Sequence, residues 1–534
     1  MKSPTISTVA LFLCSACSIV ISNENHSHKV LVLIPFNARS HKNMFLPIIT
    51  ELSSHGHKID VISMFRSEEL IENDNVTEFI IELDSSAPDF AKRIGDSAFE
   101  APRHPFQAFM SVLPHMPTFC EHLFSRELVK TILRDLRPGV YNVVLLDAYI
   151  CECFLPMVYL ADAPLVLVAP SHLMPWHYET IGSPINYAKD AVFFLPHTDT
   201  KSWWETMESA TLGTVAHLAR DWLYLPRLQS VVSAQLKSIL GPERAALVPT
   251  VWEIEEMRTQ LLLVNWHWSL SSFVRPNPPM LIEVATMHCR ESKPLPKDLE
   301  HFIAEAGEHG FVLFSMGSTL PGHKMPERLR RAFMDAFATL PQHVLWKLEK
   351  APEEPLPNNV RALPWLPQQD LLGDGRLRAF ITQAGMMSVQ EAACHGAPVL
   401  AAPFIADQHV NAALLQRLGV GLVVDLHTAD VSQLTWLLRE ITANSSYRES
   451  ARRVARLLRD QPEKPQARAV WWLEYVMRHK GTRHLRPPHV SNPWLQRLHT
   501  VLVLLGITLV LYLPLQWIFH RFTQFCSQHH KKIE

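Results

Sequence analysis

The strongest constraint on this chain is that short, unbroken apolar runs separated by helical stretches occur in two successive series. The first series is Lys29-Val-Leu-Val-Leu-Ile-Pro35, Lys58–Ser63, Thr77–Leu83, Tyr141–Asp147 and Pro164–Ala169. The second is Phe311–Ser315, His343–Leu348, Val360–Leu363, Arg378–Thr382, Pro398–Ala402 and Gly421–Leu426. Runs that are apolar throughout, rather than at every second position, are strands buried on both faces, which is the pattern of a parallel sheet covered by helices. A helical stretch over Lys42–Ser54, stopped by Gly56, follows the first strand. The fold class is therefore α/β, with two doubly wound, Rossmann-like units in one chain. A length of 534 residues suits two or three domains. Leu261–Asn265 and the proline-rich Arg275-Pro-Asn-Pro-Pro-Met280 read as the connection, because proline-bounded extended chain suits a hinge.

The two ends address the compartment. Lys2, an apolar stretch from Val9 to Ile21 and small residues at Ser15, Ala16, Ser18 and Ser22 have the layout of a secretory signal peptide over residues 1–22. Val501–Phe519 carries no charged side chain. At ~1.5 Å per residue it matches the ~30 Å hydrocarbon core, so a single-pass helix is expected over 498–519. Basic residues flank that span on both sides, so orientation follows from the signal peptide: a luminal body and a short cytosolic tail, residues 520–534. The tail ends Lys531-Lys532-Ile533-Glu534, which resembles the dilysine retrieval signal of endoplasmic-reticulum membrane proteins. Asn25-His-Ser, Asn75-Val-Thr and Asn444-Ser-Ser are glycosylation sequons that fit a luminal body. Five cysteines fall in that body (Cys120, Cys151, Cys153, Cys289 and Cys394), so at least one thiol has no intramolecular partner.

Charge removes one function class. Lys+Arg is 50 and Asp+Glu is 52, and a nucleic-acid binder needs a basic footprint that this balance does not supply. Cys151-x-Cys153 is not metal-ligand spacing, and no His-Glu-x-x-His helix exists.

In open parallel sheets, ligands sit beyond the carboxyl ends of the strands, so the residues after each strand are the candidates. After the first comes Asn37-Ala-Arg-Ser-His41, opening a helix. A histidine there is biased toward neutral imidazole by the positive end of the helix dipole, which makes it a usable general base. The fourth strand ends in Asp147, an acid able to orient such a histidine. In the second series, Phe314-Ser-Met-Gly317-Ser318 is a strand ending in a turn that can approach a phosphate. Trp365-Leu-Pro-Gln368 sets a flat ring on a loop, suited to stacking on a nucleobase. Phe380-Ile-Thr-Gln383-Ala-Gly385-Met-Met-Ser388-Val-Gln-Glu391 runs from strand through a glycine turn into a helix, a ready anion site, with Glu391 one turn in and able to hold a ribose diol. Asp407 and Gln408 offer hydrogen bonds suited to sugar hydroxyls.

With these residues in place the chain resembles the animal UDP-glycosyltransferases, the glucuronosyl- and glucosyltransferases of the endoplasmic reticulum. The block Phe380–Gly421 resembles that family's signature, and Val470–Arg486 the segment before its membrane anchor. The resemblance implies two facing Rossmann-like domains of the GT-B type: an acceptor-binding domain over 23–280 and a UDP-sugar-binding domain over 281–460. A helix and juxtamembrane segment, 461–497, would follow. It implies His41 as base and Asp147 as its partner, Trp365 on uracil, Gln368 beside the nucleoside, and Ser318 and Ser388 at the diphosphate. Glu391 would hold the ribose, and Asp407 with Gln408 the donor sugar. The expected reaction is inverting, metal-independent transfer from a UDP-sugar co-substrate to a small lipophilic acceptor, with no other cofactor. Homo- or hetero-oligomerisation is left open.

Two departures stand out. The family usually has Thr-His-Gly-Gly or Thr-His-Cys-Gly where this chain has Thr382-Gln383-Ala384-Gly385. Gln383 keeps a hydrogen-bond donor but can never carry charge. Ala384 costs about 1 kcal/mol if its backbone needs positive φ. The run Glu283-Val-Ala-Thr286-Met-His288 lacks the family's paired glycines, which points to a stiffer hinge. A non-catalytic relative that binds ligand or partners an active enzyme is the alternative reading.

Overall fold

A computed structural model describes residues 27–82, 104–183, 193, 195, 202–270, 277–317, 322–350 and 354–487, together with 502, 505, 506, 508–510, 512–514, 516 and 517. The expected signal peptide, the Asn25 sequon, Ser318 and the cytosolic tail lie outside the described residues.

The first sheet holds seven strands: β1 Lys29–Ile34, β2 Lys58–Ser63, β3 Val76–Ile80, β4 Val143–Asp147, β5 Leu165–Ala169, β6 Thr259–Val264 and β7 Leu281–Glu283. Their spatial order is β3-β2-β1-β4-β5-β6-β7. The second sheet holds six: β8 Phe311–Ser315, β9 His343–Lys347, β10 Val360–Leu363, β11 Leu377–Thr382, β12 Val399–Ala401 and β13 Gly421–Val423, in the order β10-β9-β8-β11-β12-β13. Every pairing is parallel. Both orders reverse beside their first strand, so each sheet has a topological switch point, between β1 and β4 and between β8 and β11. The continuous apolar runs are the cause: β4, β5, β6 and β8 are buried along their whole length.

Seven helices position the site. They are α1 Arg39–Ser54, α2 Trp203–Ala219, α3 Val251–Arg258, α4 Gln368–Leu372, α5 Met386–His395, α6 Gln408–Arg417 and α7 Pro465–His479. Helix α1 starts at Arg39 rather than at the expected Lys42, so His41 falls within its first turn.

One expectation is overturned. Leu261–Asn265 is not a connection: it forms most of β6, which pairs with β5 on one side and β7 on the other. Its side chains are buried on both faces, which only a strand inside the sheet achieves here. The first sheet therefore runs on to Glu283, past the proline-rich stretch. The chain also returns at its far end. Ala469, Val470, Leu473, Val476 and Met477 of α7 are buried in the core of the first sheet, against α1. Glu474 on α7 accepts from His55 Nδ1 at 2.7 Å. The second sheet has cores of its own, one around Phe314, Phe333, Phe337 and Trp346.

Two disulfides form, Cys120–Cys153 and Cys289–Cys394, and Cys151 is a buried free thiol, in keeping with the odd number read from the sequence. Among the described residues no helix is long and apolar enough to cross a membrane. The expected span at 498–519 lies partly outside them. Its described positions from 502 to 517 are helical, and Leu502, Leu505, Leu509, Val510 and Leu513 are exposed.

Candidate active site

The first switch point joins the two groups expected there. His41 follows β1 and Asp147 ends the neighbouring β4, so the parallel register brings together residues 106 apart in sequence. His41 Nδ1 lies 2.5 Å from Asp147 Oδ2. Asp147 is fully buried, and its other oxygen accepts the Tyr149 backbone N–H at 2.9 Å. A buried carboxylate that receives Nδ1–H fixes the imidazole tautomer and leaves the Nε2 lone pair as the base. The imidazole stacks on Phe36 at 4.5 Å between centroids and meets the Tyr149 ring edge-on at 5.9 Å, which fixes its plane.

Lys42, the next residue, turns inward. Its ammonium donates to Ser63 Oγ at 3.0 Å and to the Phe65 carbonyl, and pairs with Glu78. Burial lowers its pKa, and Glu78 works against that. This buried pair anchors the helix end that carries His41.

The second switch point supplies a glycine turn and a helix start. Gly317 follows β8 at φ +72°, and a Cβ there would collide with the side-chain amide nitrogen of Gln383. Gln383 follows β11, is buried, and accepts the Thr382 hydroxyl at 2.8 Å through its amide oxygen. Its nitrogen is thereby aimed at the Gly317 turn. Ala384 does sit at positive φ, +64°, so the local strain expected for a methyl at this position is present. Gly385 caps α5 with extended backbone, and Ser388 lies in the first turn of that helix.

Gln368, at the start of α4, donates through one amide nitrogen to Glu391 Oε2 at 2.6 Å and to Ser388 Oγ at 3.2 Å. These three expected donor-site residues therefore form one cluster. Burial raises the Glu391 pKa to about 7, against hydrogen bonding from Gln368 and the charge of Arg290. The His288 ring, 4.0 Å away, is held at about 4 by burial and so is neutral. A buried carboxyl poised near neutrality gains most from a hydroxyl pair that favours its charged form. Trp365, on the loop before α4, is 73% exposed, with its ring face open to a flat partner.

Asp407 and Gln408 are placed less simply. Asp407 accepts from Ser171 Oγ in the first domain and from Asn411 Nδ2 at 3.0 Å. Gln408 spends its amide oxygen on the backbone N–H groups of Phe404, at 2.9 Å, and Ile405, at 3.1 Å. The contact between the two domains has no local signature in the sequence. Ser171, His172, Tyr149 and Asn411 complete it: the Tyr149 hydroxyl donates to the His172 carbonyl, and His172 Nε2 meets Asn411 Oδ1 at 2.8 Å. Burial raises the Tyr149 pKa well above its ordinary value, and the charges of Asp407 and then Asp147 add to this while Ser171 opposes it. The acid of the first domain and that of the second thus flank one phenol. A strand-end position was the only available signal for Ser171 and His172, which follow β5.

The hinge is tied in several places. Thr286 takes φ +67° and donates its N–H to Gln390 Oε1 at 2.9 Å. Gln390 Nε2 donates to the Asn265 carbonyl at 2.8 Å, and Cys289–Cys394 links the same stretch to α5. The missing glycine is thus replaced by a β-branched residue in the left-handed region.

Among the described residues, His55, His57 and Glu474 are the one group close enough to share a metal ion. His57 Nδ1 accepts the His28 backbone N–H at 3.2 Å, which places the ring proton on Nε2, facing Glu474 at 3.3 Å. That arrangement is a set of hydrogen bonds, with the nitrogen that would bind metal already protonated.

The sequence model of the family described as "UDP-glucoronosyl and UDP-glucosyl transferase" matches residues 28–534. The chain is 28% identical to UDP-glucosyltransferase 2 of Dactylopius coccus over 497 residues, 91% of each chain. It is 32% identical to UDP-glucuronosyltransferase 2A2 of Mus musculus over 369 residues, 68% of this chain and 67% of that one. Among solved structures, the glycotransferase of kitacinnamycin aligns with a TM-score of 0.56 at 17% identity, covering 84% of this chain and 98% of its own. The calicheamicin glycosyltransferase CalG4 aligns at 0.55 and 18%, covering 85% and 99%. These two similarities concern the fold, the two-domain GT-B arrangement of parallel sheets.

Proposed function

Because the chain belongs to the UDP-glucuronosyl and UDP-glucosyl transferase family, we propose that it transfers a hexosyl or glucuronosyl group from a UDP-sugar to a hydroxyl of a small lipophilic acceptor. The observation that carries this reading is the pairing of His41 with buried Asp147 at the first switch point. His41 Nε2 takes the acceptor proton, the acceptor oxygen attacks the anomeric carbon from the face opposite UDP, and the configuration inverts. Asp147 stabilises the imidazolium as it forms. Glu391 binds the ribose, Gln368 lies beside it, and Trp365 stacks on uracil. The turn at Gly317, Ser318 next to it in sequence, Gln383, Gly385 and the start of α5 with Ser388 receive the diphosphate as it leaves. Asp407 and Gln408 bind the donor sugar; Ser171 and Asn411 both donate to Asp407 Oδ2, and Oδ1 is the oxygen assigned to a sugar hydroxyl. No step is assigned to a metal or to a further cofactor.

We place the body in the lumen of the endoplasmic reticulum, with a signal peptide at 1–22, a single span at 498–519 and a retained tail ending Lys531-Lys532-Ile533-Glu534. Two disulfides suit an oxidising compartment, and the exposed apolar side chains at 502–513 suit a lipid environment. Asn75 and Asn444 are not buried, as glycosylation sites require.

One observation favours a second reading, a non-catalytic relative that binds ligand or partners an active enzyme: Gln383 and the strained Ala384 stand at the diphosphate turn. A panel of UDP-sugars against phenols and other lipophilic alcohols, with UDP release as readout, separates the two. Turnover with at least one pair is expected. UDP binding without turnover on any pair would support the second reading.

A further inference from the structure

Helix α4 is five residues long and carries Gln368, whose amide meets Glu391 and Ser388 of α5. A helix this short does not hold its own shape, because ordering the first turn costs more than its hydrogen bonds return. The chain that follows β7 holds it instead, and bonds to both helices. On α5, the Thr286 N–H meets Gln390 as described, His288 donates Nε2–H to the Met387 carbonyl at 3.1 Å, and Cys289 is joined to Cys394. On α4, the Gln369 amide oxygen accepts the Arg290 N–H at 2.9 Å, and its nitrogen donates to the His288 carbonyl at 3.0 Å. Asp370 is buried, receives both arms of the Arg290 guanidinium and accepts the Lys293 N–H at 2.7 Å. The hydrogen bond from Arg290 holds its carboxyl below the ordinary value. Packing is close as well: a Cβ at Gly373, where α4 ends, would come within 2.5 Å of Ser292 Cβ and 3.0 Å of His395 Nδ1.

The covalent bond to α5 sits close to the cluster. Cys394 comes three residues after Glu391 in the same helix, a spacing that makes the two neighbours on its surface. The two disulfides also differ in access. Cys120 is 0% exposed and Cys153 1%, whereas Cys289 is only partly buried. Exchange requires a thiolate to reach a sulfur, so the bond at Cys289 is the one a small dithiol opens first.

We propose that the segment 286–293, fastened by Cys289–Cys394, positions the cluster of Gln368, Ser388 and Glu391, and that opening this bond lowers the affinity of the protein for UDP. This rests on the reading of that cluster as the nucleoside site. The step balances as an ordinary exchange. A dithiol supplies two electrons and two protons, the S–S bond breaks to two thiols, and the dithiol closes to its own disulfide. Reoxidation reverses it. If α4 and α5, once released, keep the binding arrangement about one tenth of the time, UDP affinity falls about tenfold. His41 and Asp147 belong to the other sheet, so the bond acts on donor binding and not on the base.

The test uses the folded full chain. UDP affinity is measured by calorimetry before and after mild treatment with dithiothreitol, and alkylation with peptide mapping shows which cysteines have opened. Affinity is expected to fall about tenfold as Cys289 and Cys394 become alkylated, with Cys120–Cys153 still closed, and to return on reoxidation. With a productive substrate pair the donor KM should rise, while kcat at saturating donor and the acceptor KM stay at their oxidised values; a general loss of structure would lower kcat too. Cys289→Ser/Cys394→Ser should bind UDP as the reduced protein does and should not respond to the dithiol. Gln369→Leu keeps the disulfide, removes two bonds between the segment and α4, and should weaken UDP binding without any reductant. Oxidised wild type that does not bind UDP would bring down the nucleoside reading and this inference with it. Unchanged UDP affinity after Cys289 and Cys394 have opened would overturn this inference alone, as would a bond at Cys289 that stays closed while Cys120–Cys153 opens. Reduction is applied after folding, so a variant that does not fold leaves that comparison intact.

Discussion

If Glu391 holds the ribose as proposed, donor binding should depend on pH. In the unliganded protein burial holds its pKa at about 7. Ribose hydroxyls that donate to the carboxylate stabilise the charged form and lower that pKa in the complex. Affinity is then highest where the carboxyl is already ionised and falls as protonation competes. With a free pKa of about 7 the ionised fraction drops from about 0.9 at pH 8 to about 0.1 at pH 6, so affinity for a ligand that needs the ionised form falls up to about tenfold. The assay is calorimetry with an intact UDP-sugar, whose diphosphate diester stays fully ionised across this range. Proton uptake or release, read from buffers of different ionisation enthalpy, should show close to one proton released at pH 6 and little at pH 8. Glu391→Gln should bind at least ~10-fold more weakly at pH 8, because a charge-assisted bond is lost, and should show no slope from pH 6 to 8. Equal affinity of wild type at pH 6 and 8, or an unchanged slope in Glu391→Gln, would refute the assignment of the ribose to this carboxyl.

Three further outcomes are expected. Gln383→His should retain donor binding and raise turnover up to about tenfold if the diphosphate gains a charge-assisted donor, whereas Gln383→Ala should weaken both; equal values for wild type and Ala would remove residue 383 from the diphosphate site. Thr286→Gly should raise the folding stability by about 1 kcal/mol, since a β-branched residue at φ +67° is strained, and an unchanged or lower thermal midpoint would contradict this. Lys531→Ser with Lys532→Ser should let the glycosylated chain leave the endoplasmic reticulum while it stays membrane-bound, with resistance to endoglycosidase H as readout; full retention would mean that the tail is not its only address.

What the sequence made legible follows from how local each signal is. Phe311–Ser315 matches its expected limits because continuous burial leaves a continuous apolar run, and Lys58–Ser63 and Val360–Leu363 match theirs although Lys58 and Asp60 interrupt the first and the second is buried only at Val360. The first-turn place of His41 and the strand-end place of Asp147 were legible for the same reason, since a parallel sheet with a switch point brings strand ends together. Thr259–Val264 was misread because it stands apart from the first series and beside a proline-rich stretch, although its apolar pattern is that of an inner strand. The contact of Ser171 with Asp407 spans 236 residues and depends on how the two domains face each other, which no local pattern encodes. The pairing of Cys120 with Cys153 and of Cys289 with Cys394 likewise needed the folded chain. The positive φ at Ala384 shows the reverse case: a departure at one position named a strain that the backbone carries.

In the proposed reaction His41, oriented by Asp147, is the base of a glycosyl transfer whose donor is bound by the other domain. Its most direct test compares wild type and His41→Ala on one productive donor–acceptor pair, measuring transfer, the anomeric configuration of the product and UDP affinity on the same preparations. This role of His41 predicts an inverted product from wild type, a loss of transfer of ~10²–10⁴-fold or more in the variant, and unchanged UDP affinity. Transfer by His41→Ala at a rate comparable to wild type would contradict it.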